Sequence, residues 1–398
     1  MSAVRVLTGL DLPWGSPGGS VELLKDLYLD PSGPLTADTF MLTPDGPEGP
    51  ALPPSGGPAL PPSGGPAPDR LAPAGGPAPD APAGRAPALP ALLDVPGKQL
   101  DGDGFWDYVD RLTDAITTRF AGHEPDVVHL QHLAFGATPA LLRGYPGRPA
   151  IGLVHGTDLL FAAEHPTQAR VLRDAVAAAT ALVVPTAAMA DRLRRLTPVD
   201  SGRVVHIPWG VPDTLLARPP ARRRRDGGEL RVLYAGRLTA EKGAAELAAT
   251  LHGTPGLRLS MAAPVTEFRR LAAVQDLSGV HHLGWLTREE LWAAFAAHDL
   301  LVVPSAKLEA FGLVAVEAQA CGLPVAYQPV PGLRDALGDS ALPLDLLADP
   351  RRALAELTRL RDDPAALDEL RRSGLRNAAR FPLSATARAL AALSAQVR

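Results

Sequence analysis

Cysteine is nearly missing from this chain: Cys321 stands alone among 398 residues. A lone thiol excludes a disulfide framework and any cysteine-built structural zinc site. Lysine is almost as scarce. Only Lys25, Lys98, Lys242 and Lys307 occur, so 35 of the 39 basic residues are arginine. Together with abundant alanine and proline, that bias reflects GC-rich coding and bears little on chemistry. No apolar run approaches the roughly 18 residues that a spanning helix needs, so no integral membrane segment is expected. The first ten residues, MSAVRVLTGL, lack a charged leader and a long apolar core, and a cytoplasmic protein is the default expectation. A net charge of −4 gives no general pull toward nucleic acid, and no such partner is expected.

Several motifs are missing too. The Asp-x-Asp at Asp101-Gly102-Asp103 follows no apolar run and opens a helical stretch, where capping explains it better than a metal. His129 and His132 lack helical spacing and further ligands. The loop GSPGGS over 15–20 does not supply a dinucleotide fingerprint. Neither a metal nor a cofactor is expected.

Proline and glycine are plentiful, 80 residues together, and unevenly spread. Residues 44–90 hold 16 Pro and 9 Gly, including two consecutive copies of PALPPSGG, at 50–57 and 58–65. With few bulky apolar residues and no period, this stretch cannot offset its ordering entropy. It is expected to be a disordered insertion, partly polyproline II.

The remainder has an α/β rhythm. Apolar runs bounded by Gly or Pro, at 4–10, 126–131, 149–155, 181–185 and 204–208, are expected to be buried parallel strands, with a weaker one at 39–43. A second series follows at 230–236, 257–262, 280–284, 299–305 and 323–327. Helical stretches alternate with both. The break over 212–228, with Pro219-Pro220, four arginines (222–225) and Gly227-Gly228, is expected to be a solvated linker. The expected architecture is α/β, with two doubly wound Rossmann-like domains, 1–211 and 229–380, facing a cleft. A final helix over 381–398 is expected to return to the first domain. Ligands of such sheets bind at the carboxyl ends of the strands.

Two motifs point into that cleft. In PSAKLEAFGLVAVEAQACGLPV (304–325) a strand ends, a loop carries Glu309, and a helix opens near Phe311-Gly312. Glu317 then falls on its second turn. The amides of Gly312, Leu313 and Val314 at the helix start suit an oxyanion or sugar hydroxyls. In YAGRLTAEKG (234–243) a strand delivers Arg237, and Lys242 opens the next helix. Two cations five residues apart at a helix N-terminus suit a diphosphate.

These residues resemble the GT-B glycosyltransferases, specifically the retaining enzymes of family 4, across nearly the whole chain outside 44–100. The family's E-x7-E motif reads here as Glu309 and Glu317, and its basic pair as Arg237 and Lys242. The resemblance implies a nucleoside diphosphate sugar donor in the second domain, UDP favoured over GDP, and a small-molecule acceptor in the first. It implies Glu309 at the donor sugar, Glu317 at the ribose, and Arg237 and Lys242 on the pyrophosphate. Gly18 and Gly19 match positions whose backbone amides lie near the donor phosphate or the acceptor. His155, in LVHGTD (153–158), matches a catalytic histidine, while His132 and Asp158 are candidates for acceptor contact. The chain departs from the family at Pro208-Trp209-Gly210-Val211, where Asn is common in place of Trp209, and at Asp335, where Glu is usual.

The function so implied is metal-independent, retaining transfer of a hexose-type sugar to an acceptor hydroxyl of a bacterial natural product or small metabolite. The competing reading is a catalytically weak accessory protein that binds nucleotide sugar and acts through a partner.

Overall fold

The computed structural model describes residues 4–44, 88–223 and 228–398. The Pro/Gly-rich insertion falls almost wholly outside the described residues, as do Arg224 and Arg225. Seven strands form the first sheet: β1 (Arg5–Pro13), β2 (Thr36–Leu42), β3 (Ala91–Leu93), β4 (Val127–Leu130), β5 (Ala150–Leu153), β6 (Ala181–Val184) and β7 (Val204–His206). Their order is β3-β2-β1-β4-β5-β6-β7, all parallel. The second sheet contains β8 (Leu230–Ala235), β9 (Leu257–Ala262), β10 (His281–Gly284), β11 (Leu300–Val303), β12 (Val325–Tyr327) and β13 (Leu342–Pro343). Its order is β10-β9-β8-β11-β12-β13, again all parallel.

Helices cover both faces of such sheets, so their strands read as unbroken apolar runs. β4, β5 and β6 are accordingly buried at every position. In each sheet the chain reverses direction of winding at its centre, between β1 and β4 and between β8 and β11. Loops leaving those strand pairs diverge and open a crevice at their carboxyl ends. Gly18 and Gly19 follow β1, His132 follows β4, Arg237 and Lys242 follow β8 and Glu309 follows β11, while His155 follows β5 and Glu317 lies inside the helix Leu313–Ala320.

Several elements escape the periodicity: β3, which is three residues long, and the helices Ala137–Gly144, Thr157–Glu164, Pro331–Leu337 and Pro364–Ala378. Within 212–228, Asp213–Ala217 is helical. Arg222 is not solvated as expected. It donates to the carbonyls of Phe295 and His298, meeting the free carbonyls and negative end of the helix Arg288–Ala297. The capping role expected of Asp101-Gly102-Asp103 is also corrected: Asp103 makes no side-chain cap bond. Asp101 instead pairs with His165 Nδ1 at 2.6 Å.

The helix Leu383–Val397 lies against the first sheet. It is led there by a crossing in which Val211 N donates to Phe381 O and Leu383 N to Val211 O. A Cβ on Gly210 would sit 2.5 Å from Leu383 Cα, so only glycine admits the crossing. Leu390 and Leu393 then join Val6, Leu24 and Leu27 in one apolar cluster. Among the described residues no helix is long and apolar enough to cross a membrane.

Candidate active site

β8 ends at Ala235, and the Tyr234 hydroxyl donates to the carbonyl of Arg237, which ties down the next turn. Arg237 Nε donates to Glu267 Oε1 at 3.1 Å, while Glu267 Oε2 accepts from Leu238 N at 2.7 Å. Glu267 was not among the residues read from the sequence; it orients an arginine whose side chain is otherwise half exposed.

Lys242 closes a 3-10 turn, Ala240–Lys242, one residue ahead of the helix Ala244–Leu251. Between them Gly243 has φ +65, and a Cβ there would lie 2.1 Å from the Pro304 carbonyl oxygen. Glycine therefore lets the Lys242 turn press against the exit of β11. The consequence is a close ion pair: Lys242 Nζ donates to Glu309 Oε2 at 2.7 Å and to Oε1 at 3.0 Å. Ser305 Oγ adds a weaker bond to the same carboxylate.

The helix Leu313–Ala320 follows, with Gly312 as its left-handed N-cap and no side chain capping it. The first helical amides have no intrahelical acceptor, and no bond to Leu313 N or Val314 N is found among the described residues. Phe311 is buried edge-on against Phe381. Gly18 and Gly19 begin the helix Gly19–Tyr28 on the opposite side. A Cβ at Gly19 would be 3.5 Å from Leu313 Cδ1, so the two helix starts face each other. Glu317 is buried, and burial raises its pKa while Arg288 opposes the shift. Arg288 donates to Glu317 Oε1 through Nε and Nη2, and Trp292 Nε1 to Oε2 at 3.4 Å. Glu309 and Glu317 thus answer to two different cations.

On the first-sheet side a chain of hydrogen bonds sets the state of His155. Thr8 Oγ1 donates to the His129 carbonyl at 2.8 Å, so it can only accept from Gln131 Nε2, also at 2.8 Å. Gln131 Oε1 then faces His155 Nε2 at 3.1 Å and must accept. His155 therefore carries its proton on Nε2 and keeps Nδ1 as a free acceptor. Burial, with His132 as a smaller cause, depresses its pKa well below the usual value, so the ring is neutral. Trp209, 2% exposed, stacks under it at 5.6 Å, and His132 meets it edge-on at 4.9 Å. The position where the family commonly has Asn is thus an aromatic floor.

His132 is buried, with Nδ1 lacking a partner, and burial and then Lys98 lower its pKa to about 3. Lys98 itself donates to the Asp11 carbonyl and lies 3.6 Å from Asp11 Oδ2. Asp158 does not face the cleft as expected. It is fully buried, accepts from Leu133 N at 3.0 Å, and has its pKa pushed up to about 6 by desolvation. It braces the loop that carries His132. His129, read as a structural strand residue, is bonded on both nitrogens, to Tyr28 and Ser394. Among the described residues no group of three or more His, Cys, Asp or Glu gathers to hold a metal.

Contacts across the cleft draw the halves together. Thr186 Oγ1 donates to Ala310 O and Ala188 N to Asp335 Oδ2, and Lys307 pairs with Glu164. Asp335, the departure noted above, thereby meets the start of the helix Ala187–Leu196, where a carboxylate is favourable.

Two family models match the chain: Glycosyl transferases group 1 over residues 220–360 and Glycosyltransferase Family 4 over 70–215. A D-inositol 3-phosphate glycosyltransferase of Segniliparus rotundus is 30% identical over 315 residues, spanning 70% of this chain and 69% of that protein. Among solved structures, sucrose-phosphate synthase from Thermosynechococcus elongatus superposes with a TM-score of 0.75 at 19% identity, covering 99% of both chains. Anabaena HepE in complex with UDP-glucose gives a TM-score of 0.69 at 16% identity, covering 98% of this chain and 99% of that one.

Proposed function

The chain belongs to glycosyltransferase family 4, and we propose that it moves a hexose-type sugar from a UDP-sugar to a hydroxyl of a small polyol-like acceptor. The transfer retains anomeric configuration and needs no metal. One observation carries this reading: Lys242, Glu309, Arg237 and the uncapped amides of the helix Leu313–Ala320 converge at the β8/β11 switch point. That set matches a sugar joined to a diphosphate. The UDP preference rests on the likeness to HepE, solved with UDP-glucose. The acceptor class rests on relatives named for D-inositol 3-phosphate, within the wider class of bacterial natural products and small metabolites.

In this mechanism Arg237 and Lys242 meet the charge that grows on the leaving diphosphate, with the amides of Leu313 and Val314 beside them. Preorganised donors of this kind supply the largest share of transition-state stabilisation. The leaving phosphate takes the acceptor proton on the face it departs from, which preserves configuration. Glu309 holds donor sugar hydroxyls once the nucleotide competes for Lys242, and Glu317 takes the ribose diol. His155 presents the Nδ1 lone pair to the sugar, held by Gln131 and Trp209. His132 lines the acceptor side, and Asp158 acts through the loop it braces.

Thermal unfolding with UDP, GDP and dTDP, then with the corresponding sugars, tests the donor, because a ligand of the native state raises its apparent stability. UDP should give the largest shift, and a UDP-sugar should be slowly hydrolysed without acceptor. Binding with neither hydrolysis nor transfer would leave the accessory reading standing instead.

A further inference from the structure

Arg288 is the first residue of its helix, and a full capping box fixes its backbone. Thr287 Oγ1 accepts from Glu290 N, and the Glu290 carboxylate accepts from Thr287 N. From this anchored start the guanidinium reaches two ways. Nε and Nη2 hold Glu317 Oε1. Nη1 donates to both oxygens of Asp26, at 2.7 and 2.6 Å. Asp26 belongs to the helix Gly19–Tyr28 of the first-sheet side, so the second contact crosses the cleft. The three side chains are 15%, 9% and 18% exposed for Arg288, Glu317 and Asp26. The guanidinium also lies 5.4 Å from the Trp292 ring, whose Nε1 donates to the other Glu317 oxygen. Glu317 is therefore held on both oxygens, and the guanidinium that holds it also faces Asp26.

We infer that Arg288 is a positioning residue with two separable tasks: it presents Glu317 to the donor ribose, and through Asp26 it clasps the two sides of the cleft. The first task rests on the donor reading above, and the second does not. The Arg288–Glu317 contact lies within one side and persists when the cleft opens. The Asp26–Arg288 contact exists only when the cleft is closed. Donor recognition and closure then share one side chain, which explains why a planar guanidinium with donors on several edges stands there.

The two tasks predict a split that a general structural role would not produce. Asp26→Asn should leave UDP affinity within twofold of wild type and lower kcat for transfer about tenfold, with hydrolysis rising relative to transfer as closure fails. Arg288→Ala should weaken UDP binding at least tenfold and lower kcat as well. The double variant should match Arg288→Ala in kcat, since Asp26 acts only through Arg288. Arg288→Lys should recover part of the clasp and little of the UDP affinity. Small-angle scattering of the unliganded protein reads the clasp without any nucleotide: both single variants should be more expanded than wild type. Unchanged dimensions in both variants would overturn the clasp, and wild-type UDP affinity in Arg288→Ala would overturn the positioning task. Failure of the wild-type protein to bind UDP would count against the donor reading and the positioning task, and would leave the scattering result to judge the clasp.

Discussion

The two sides of the cleft handle polar groups in opposite ways. Past the second sheet, charges stand in pairs: Lys242 with Glu309, Arg237 with Glu267, Arg288 with Glu317. Past the first sheet, His155, His132 and Trp209 form a neutral stack supported by Gln131 and Thr8. Paired charges are suited to exchange, since an incoming diphosphate can replace a carboxylate at a cation already in place. A neutral stack cannot exchange partners. It is suited to holding shape, and its strength comes from packing and from keeping water out.

Trp209→Ala breaks the neutral side and carries the largest expected effect. Truncating a buried aromatic of this size costs about 3–5 kcal/mol, to be read from urea unfolding, and it removes the floor beneath His155. Trp209→Phe should return most of the stability, because much of the lost area is restored. Equal losses from both variants would show that the ring edge, not its area, supports the histidine.

Lys242→Ala breaks the paired side and should do the reverse. Its ion pair is partly solvated, with Lys242 38% exposed, so stability should fall by no more than about 1 kcal/mol. Turnover should drop by roughly 10²–10³-fold, the usual effect of losing one preorganised stabilising donor. Near-normal turnover in a folded variant would sink the diphosphate role.

Much of this contrast is legible in the chain itself, for a physical reason. Parallel strands buried on both faces must be apolar throughout, and the turns that carry chemistry need Gly at fixed positions. Arg237, Lys242, Glu309 and His155 therefore sit beside local signals. Arg288 has a visible local frame in its Thr287/Glu290 capping box, but Asp26 lies 262 residues away, and no local pattern records such a partner. Asp158 misleads for the complementary reason. It follows the same strand as His155 but opens a helix, and only the packed loop around Leu133 shows that it is buried. Trp209 reads as a departure from a motif until its ring is seen under His155.

Acid sharpens the comparison further, because the neutral side holds histidines that must stay unprotonated. Burial holds His129 and His132 down to about 3, against an ordinary value of 6.5. The unfolded chain binds these protons first, so their contribution is complete above about pH 6.5 and is lost as pH falls toward 3. Asp158 has the opposite sign: its pKa is raised from 3.8 to about 6, so the native state gains on the unfolded one as pH falls through that window. For His129, His132 and Asp158 alone, stability should drop on the order of 3 kcal/mol from pH 7.5 to pH 5, and His155, depressed by the same burial, adds to the loss. Urea titrations at the two values check the size, and Asp158→Asn should steepen the fall by removing the offset.

The smallest expected effect belongs to the stretch between β2 and β3. Because those strands run parallel, the chain leaving Leu42 must return to the far end of its neighbour before Ala91. Parallel crossovers take about a dozen residues or more. The Pro/Gly-rich segment therefore has a topological duty that its composition does not reveal. Replacing residues 45–87 with about 15 Gly and Ser residues should keep β3 paired. It should raise stability by no more than about 1 kcal/mol, the difference in closure entropy between the two lengths. Deleting 45–87 outright leaves too short a return and should unpair β3, loosening Leu93 and Val95 from the core they share with Phe40 and Phe105. Hydrogen exchange at Thr43, whose amide donates to Leu93 O at 2.9 Å, separates the outcomes. Protection should survive the replacement and vanish with the deletion. Equal protection in both would mean that five residues suffice, and that the repeat has no duty in the fold.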